Sequence, residues 1–390
     1  MTKELTTQSA TQSITQISNI DAEDNHTLPA WIYNDQHFFE LEQQKIFNSN
    51  WIIACHLNEI PNPGDFVTLN FMRHRALVTR LDDGSIKAVH NTCRHRAHQV
   101  VAAPAGNCKR VHICPYHGWT YNQDGTVRGI PGGTDQQFKQ AGCGLPKIES
   151  EVFVGFVWIR FGSEGPSVAE RLAPHAKLLQ AFQIDKMIPN NDTMVEQHDV
   201  DWKNMMDNYL EGYHVAMGHP ALNGMMESAY DVTADSAGGT SFATHRLKDE
   251  PAGGPDQREY LSVLPDFPHL PDDHARRWSY LSLFPNVNIG LQPDSIDFFV
   301  VYPLGPGRAE FRSASFSAPD PRPEVQQARE VAGRIWSVVQ EEDNQLTYSV
   351  QRGLEGGSYQ YGYLAPAEPA VRAFRDWIQA RLPIAKQSHR

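Results

Sequence analysis

The feature that most constrains this chain is the stretch NTCRHRAHQVVAAPAGNCKRVHICPYHGWTYNQDG, residues 91–125. It sets Cys-x-His ahead of Cys-x-x-His, with eighteen residues between His95 and Cys114. Each half supplies one thiol and one imidazole from a segment punctuated by Gly, Pro and Asn. Around them run short β-branched and aromatic segments, FVTLNF, HRALVTRL, IKAVHN and VFVGFVWIRF, broken by the turn signals Asp83-Gly84 and Asp124-Gly125. A small all-β unit is predicted, holding two loops face to face across one metal centre.

Two Cys and two His can bind zinc or a [2Fe-2S] cluster in which one iron takes two thiolates and the other two imidazoles. Zinc fingers usually group their cysteines and group their histidines, whereas here each half is mixed, which favours the cluster. CRHR followed by CPYHGWTY resembles the cluster signature of the Rieske non-haem iron oxygenases. The resemblance implies that Cys93 and Cys114 bind the iron that stays ferric and His95 and His117 the iron that changes valence. High-potential Rieske proteins carry extra cysteines beside this motif. Positions 98 and 116 are His98 and Tyr116 here, so no disulfide flanks the cluster and a lower potential is implied. Cys108 and His112 read as packing residues. Arg94, Arg96 and Trp119 read equally well as a cover over the cluster, a docking face for an electron donor, or plain loop packing.

The rest of the 390-residue chain is too long for a carrier alone. Its formal net charge of -12, without a long basic run, argues against nucleic acid as a partner. No apolar run is long enough to span a membrane, and the start, MTKELTTQSATQSITQISNI, lacks the apolar centre of a signal peptide, so no membrane association and a cytoplasmic location are expected. Five cysteines, an odd number, read as thiols or ligands rather than a disulfide framework. The expected division is an N-terminal arm and helix over 1–45, the cluster unit over 46–162 and a catalytic unit over 163–390, with GSEGPS at the junction. An amphipathic helix is predicted from Phe38 to Trp51, and the Gly-, Pro- and Asp-dense stretch 234–275 reads as a mobile cover.

A second metal site is predicted in DWKNMMDNYLEGYHVAMGHPALN, residues 201–223. On a continuous helix Met206, Leu210, Tyr213 and Met217 form one stripe, and Asp207, Glu211 and His214 an adjacent one. His219 falls off that face unless the helix changes course at Gly218 and Pro220. Two histidines and a remote carboxylate make the facial triad of mononuclear Fe(II), with positions open for O2 and substrate. The bland alternative is a solvated acidic face with two incidental histidines. The carboxylate is sought in PEVQQAREVAGRIWSVVQEEDNQLTYSVQRGL, where Ala332, Ile335, Trp336, Val339, Leu346 and Val350 keep a helical rhythm. Asp343 falls within that stripe and Glu342 nearly so, while Glu341 faces away.

EEDNQLTYSVQRGL also resembles the last-ligand segment of the same oxygenases, which implies Asp343 as the third ligand. The resemblance, extended by LPAWIY and NYLEGYH, covers most of the chain. It implies an α+β fold: an all-β Rieske domain plus a catalytic domain in which an antiparallel sheet and helices grip the mononuclear iron. It further implies a head-to-tail homotrimer, electrons from a separate NAD(P)H-dependent reductase or ferredoxin, and Glu211 as the carboxylate bridging cluster and iron, with Asp207 near the iron or the bridge. Most ring-dihydroxylating members use Asp at the bridge. Glu there, DNYLE and TLPAWIYNDQ are similar to the branch acting on carnitine, choline and betaine, although EGYHV and the apolar ALNGMMESAY depart from it. A cation cage can draw on Tyr209, Tyr213, Trp278, Tyr280 and Phe284. The expected reaction is O2-dependent hydroxylation of a small N- or O-methyl compound. A ring cis-dihydroxylase, a Rieske electron carrier and a zinc-bound interaction protein are the alternatives.

Overall fold

The computed structural model describes residues 25–133, 136, 142–162, 164–271 and 273–387. The alternating runs on either side of the Cys/His loops become β1 (Ile52–His56), β2 (Asp65–Phe71), β3 (His74–Arg80), β4 (Ile86–His90), β5 (Ala105–Asn107), β9 (Lys147–Phe153) and β10 (Phe156–Arg160). These pair in the order β1-β10-β9-β4-β3-β2-β5, each contact antiparallel. Between them β6 (Val111–Ile113), β7 (Thr120–Asn122) and β8 (Val127–Gly129) form a small sheet that carries the second loop. The tight turn from β9 to β10 puts Val154 at φ 44° and Gly155 at φ 81°, and a Cβ on Gly155 would lie 2.7 Å from the Asp185 nitrogen. Only glycine meets both demands there.

The second sheet is built from β11 (Ile188–Pro189), β12 (Met194–His198), β13 (Met226–Asp235), β14 (Thr240–Leu247), β15 (Arg277–Leu283), β16 (Val287–Leu291), β17 (Ile296–Gly305) and β18 (Arg308–Ser317). It runs β11-β18-β17-β16-β15-β14-β13, with β12 also on β18. The helices are α1 (Gln36–Lys45), α2 (Val168–Arg171), α3 (Ala176–Ala181), α4 (Trp202–Tyr209), α5 (Val215–Gly218), α6 (Pro220–Met225), α7 (Pro255–Val263), α8 (Pro323–Glu355) and α9 (Pro369–Arg381). An antiparallel sheet gripped by α4 and α8 beside an all-β unit is the α+β architecture expected.

Two sequence expectations need correction. The helix predicted to reach Trp51 ends at Lys45; Asp35 caps its start by accepting from the Phe38 N–H at 2.6 Å, and the Asn- and Ser-rich stretch after Phe47 turns instead into β1. The stretch 234–275 is not a loose cover. Its glycines turn the chain between β13 and β14 and ahead of α7, so it supplies the interior strand β14, paired on both sides.

One large apolar core runs through both units, with a second, smaller cluster beneath the Cys/His loops. Phe156 on β10 packs edge-on against Phe298 and Phe316 of the second sheet, and His56 on β1 stacks on Phe316 at 4.6 Å. Arg312 on β18 donates to the carbonyls of Ile53 and Ala54 across the same boundary. At the base of α4 the fully buried Lys203 ammonium sits between Glu42 on α1 at 2.9 Å and Asp201 at 2.8 Å. Burial opposes each charge, so the three groups are tolerated only together, and they fix the helix that leads into the site.

Candidate functional site

The two Cys/His loops share one hydrogen-bond plan. Cys93 donates from its N–H to the His98 carbonyl at 2.8 Å, and its own carbonyl accepts from the Ala97 N–H at 3.0 Å. Cys114 repeats this with the Trp119 carbonyl at 2.8 Å and the Gly118 N–H at 3.0 Å. Ala97 and Gly118 occupy equivalent left-handed positions, at φ 58° and 72°. The result is two matching loops whose cysteines are buried and whose histidines are exposed.

The four side chains fall into two pairs. Cys93 and Cys114 lie side by side, and burial pushes the Cys114 thiol up. Nδ1 of His95 and Nδ1 of His117 come within 3.1 Å. Thiols on one side and imidazoles on the other match a two-iron cluster with two protein ligands per iron, and fit a single zinc poorly. The Tyr121 hydroxyl lies 3.2 Å from Cys93 Sγ and accepts from the Arg94 N–H at 3.1 Å, leaving its proton for the sulfur. Trp119 stacks on His95, and Tyr116 covers His117. His112 instead points inward to Thr79 Oγ1 at 3.2 Å, and Cys108 packs on the apolar cluster beneath the loops.

The second site forms where α4 stops. The helical stripe read from the sequence fails after Leu210: Tyr213 and Met217 are 64% and 89% exposed. Glu211 is the cause. Its Oε2 accepts from the N–H groups of Tyr213 and His214, capturing donors that a continuing helix would use. Gly212 fits beneath the Tyr230 ring, where a Cβ would come within 2.7 Å. The chain restarts as α5, turns at His219 and continues as α6 behind Pro220, the change of course that His219 needs. Gly218 lets Leu346 of α8 close over the turn, 2.9 Å from where a Cβ would stand.

His214, His219 and Asp343 therefore converge. The Nε2 atoms of the two histidines are 3.2 Å apart, and Asp343 Oδ1 lies 3.0 Å from His219 Nε2 and 3.5 Å from His214 Nε2. Their outer nitrogens are held by carboxylates: His214 Nδ1 by Glu211 Oε1 at 2.5 Å, His219 Nδ1 by Glu342 Oε2 at 2.8 Å. With both Nδ1 atoms protonated toward these carboxylates, three lone-pair atoms face one another and call for a cation. Three donors on one octahedral face with bonds of ~2.1 Å stand about 3 Å apart, close to the spacing seen. Asn208 on α4 donates to the same Asp343 oxygen at 3.1 Å.

The electrostatics agree. Burial raises Asp343, but hydrogen bonds from the two histidines outweigh it and hold its carboxyl at about 2. Burial lowers His214, yet Asp343 and Glu211 lift it to about 9, and His219 is lifted against burial by Asp343 and Glu342. Positive charge is stabilised at this point, whether it arrives as a proton or as a metal ion.

Asp207 does not contact the triad. Its Oδ2 accepts from the Tyr33 hydroxyl at 2.6 Å, and burial pushes its carboxyl up to about 7. With Glu211 and His214 it lines a cleft of about 570 Å³, closed on the other side by Leu346, Val350 and Tyr359. Of the aromatic residues weighed for a cation cage, Trp278 stacks on Trp336 and Phe284 packs against Phe374 and Trp377, and both Trp278 and Phe284 are buried in the core. Tyr209 and Tyr280 remain beside the site with Phe299, which the sequence reading missed. Glu342 was weighed only as a rival ligand, and its spacing one residue before Asp343 was the available signal for its place behind His219.

Residues 50–140 match the family model described as the Rieske [2Fe-2S] domain, and residues 190–384, half of the chain, match that of the ring hydroxylating alpha subunit catalytic domain. The chain belongs to the Rieske ring-hydroxylating α-subunit family. This oxygenase subunit is 27% identical to the glycine betaine monooxygenase oxygenase subunit of Chromohalobacter salexigens, over 90% of this chain and 85% of that one. It is 32% identical to the carnitine monooxygenase oxygenase subunit of Escherichia coli K12 over half of this chain and 53% of the relative. Its fold superposes on a quaternary ammonium Rieske monooxygenase linked to carnitine oxidation by gut microbiota, with a TM-score of 0.78 at 22% identity over 92% of this chain and 96% of the other. It superposes on a Rhodococcus naphthalene 1,2-dioxygenase with a TM-score of 0.74 at 20% identity, over 92% and 94% of the two chains. The family takes a Rieske [2Fe-2S] cluster and a mononuclear iron, with O2 as co-substrate, and the two donor sets suit both groups. The oxygenase subunit is one component of a multicomponent system that needs a reductase and a small-molecule substrate. Among the described residues no helix is long and apolar enough to cross a membrane.

Proposed function

We propose that this subunit is the terminal oxygenase of a monooxygenase that hydroxylates a carbon beside the nitrogen of a quaternary ammonium compound, releasing an aldehyde and a tertiary amine. The observation that carries the reading is the three-acceptor convergence of His214, His219 and Asp343 in a chain similar, over nine-tenths of its length, to a glycine betaine monooxygenase oxygenase subunit. Cys93, His95, Cys114 and His117 hold the cluster; His214, His219 and Asp343 hold the iron. When bound, the cluster supplies single-electron transfer and the iron supplies activation of O2.

The chain's own residues set the geometry. Glu211 and Glu342 fix the tautomer of both histidines by keeping the proton on each Nδ1. Glu211 borders the cleft and serves as the bridge to a cluster histidine, which in a head-to-tail homotrimer is that of the next copy; the exposure of His95 and His117 supports this reading. Asp207 and Tyr33, hydrogen-bonded to each other, line the same cleft. A cytoplasmic location and a separate NAD(P)H-dependent reductase or ferredoxin belong to this reading.

The test is an iron and acid-labile sulfide count with a visible spectrum on anaerobically purified protein, followed by turnover of choline, glycine betaine and carnitine with a reductase. Three irons and two sulfides per chain with aldehyde release are expected. Zinc without sulfide would overturn the metal assignment, and cis-diol formation from an aromatic ring without amine turnover would overturn the substrate class.

A further inference from the structure

Beyond the metal ligands, the half-buried carboxylate of Asp297 has no cation beside it among the described residues. Asp297 lies on β17, where it pairs with Gly290 of β16, which in turn pairs with Tyr280 of β15. Asp297, Phe299 and Tyr280 thus share the sheet face turned toward α4. Asp297 Oδ2 accepts from Gln292 Nε2 at 3.1 Å and reaches over Gly290, where a Cβ would stand 2.5 Å from it. Burial lifts the carboxyl to about 6, countered by the Gln292 amide and the Gly290 backbone; among the described residues no lysine or arginine acts on it. An isolated carboxylate so placed is costly unless a positive charge joins it.

The surroundings show what kind of charge fits. The Tyr209 ring stands at 89° to both Tyr280, 5.9 Å away, and Phe299, 4.6 Å away, forming an aromatic corner. The Tyr209 hydroxyl is buried without a hydrogen-bond partner. Asp297, Tyr280 and Phe299 each keep part of their surface accessible, so this corner is not packed shut but leaves a recess. The recess adjoins the iron ligands: Asn208, next to Tyr209, donates to Asp343, and the charges of Asp343 and Asp297 are both felt at Tyr280. A lysine-like ammonium would demand several acceptors, whereas a methylated ammonium donates nothing and needs only aromatic faces and a counter-charge.

We propose that Asp297 is the counter-charge for the cationic nitrogen of the substrate, held over Gly290 against Tyr209, Tyr280 and Phe299, and that it makes the recess select a permanent cation over a neutral molecule of the same shape. The proposal rests on the quaternary ammonium reading above and assigns it to a residue outside the metal shell.

The experiment compares choline with its neutral carbon isostere 3,3-dimethylbutan-1-ol, and adds tetramethylammonium, by calorimetric binding to the anaerobic holoenzyme. Wild type should prefer the two cations. Asp297→Asn, nearly isosteric, should weaken both cations by roughly 30-fold or more while leaving the neutral alcohol within about twofold. Asp297→Glu should keep a preference for cations, and an iron count together with the cluster spectrum reports whether each variant is intact. Cation binding unchanged in a folded Asp297→Asn would overturn the role of Asp297 and leave the substrate class standing. An equal loss of cation and alcohol would overturn it too, by showing a packing role. A wild-type protein with no preference for the cations would overturn both the counter-charge and the substrate class beneath it.

Discussion

Replacing Glu342 by alanine removes no ligand, yet it should loosen the iron site. The Glu342 carboxylate accepts from His219 Nδ1 at 2.8 Å; the imidazole is 2% exposed and the carboxylate 33%. Removing the acceptor strands a buried N–H, worth about 1–3 kcal/mol, and frees the ring to adopt the tautomer whose proton points at the metal. Water can reach the vacated side because Glu342 is one-third exposed, so the lower part of that range applies, about 1.5 kcal/mol, or roughly tenfold in iron affinity. Asp343→Ala, by contrast, removes one of the three donors and should leave the site without iron. The assay is iron retention against a graded chelator, with the visible spectrum of the cluster as internal control. Glu342→Gln, which keeps an acceptor oxygen, should recover most of the loss. Iron affinity within twofold of wild type in Glu342→Ala would refute the orienting role, and a loss as complete as that of Asp343→Ala would make Glu342 itself a ligand.

Glu211→Gln should retain both metals while slowing turnover roughly 100-fold, because it weakens the hold on His214 Nδ1 and discharges the bridge; an unimpaired variant under steady-state assay would refute the bridge. Asp207 carries a pH signature. Its folded carboxyl, lifted by burial to about 7, binds a proton more tightly than in the unfolded chain, so it stabilises the fold at low pH and that contribution is lost as pH rises through about 7. Asp207→Asn should therefore flatten the fall in Tm between pH 5 and 8, and identical slopes for the two proteins would exclude Asp207 as the source. Lys203→Met leaves Glu42 and Asp201 buried without their shared cation and should lower stability by about 3–5 kcal/mol, read as a denaturant midpoint; a change below 1 kcal/mol would mean that the pair takes up protons at no loss.

Local chemistry carried far in the sequence, and contacts between distant segments did not. The Cys/His loops were legible because thiol and imidazole spacing is set by the metal chemistry, and the strands around them by short-range alternation. The three proposed iron donors were legible as residue types, with Gly218 and Pro220 marking the bend that brings His219 inward. The stripe through Tyr213 and Met217 misled because periodicity persists in the letters after the backbone has left the helix, where Glu211 captures the Tyr213 and His214 N–H groups and Tyr230, a strand residue, packs over Gly212. Leu346 and Val350 keep the rhythm of α8 but line the cleft rather than the core. Trp278 and Phe284 carry the right aromatic chemistry for a cation, and only the three-dimensional packing shows it spent on the core. Asp297 gave no signal, since an acid in a strand otherwise reads as an outward-facing residue.

The apolar core that runs from Phe156 through Phe298 and Phe316 bears on how such an enzyme can be taken apart. Severed from the larger sheet, the cluster unit would lay bare the outer side of β1 and β10 and lose the anchor that Arg312 gives the Ile53 and Ala54 carbonyls. It is therefore no detachable ferredoxin that could be lent to another reaction. The wiring is soldered to the machine, and a change of redox partner must come on the outer surface of the cluster unit, because the mounting beneath it is shared with the catalytic floor.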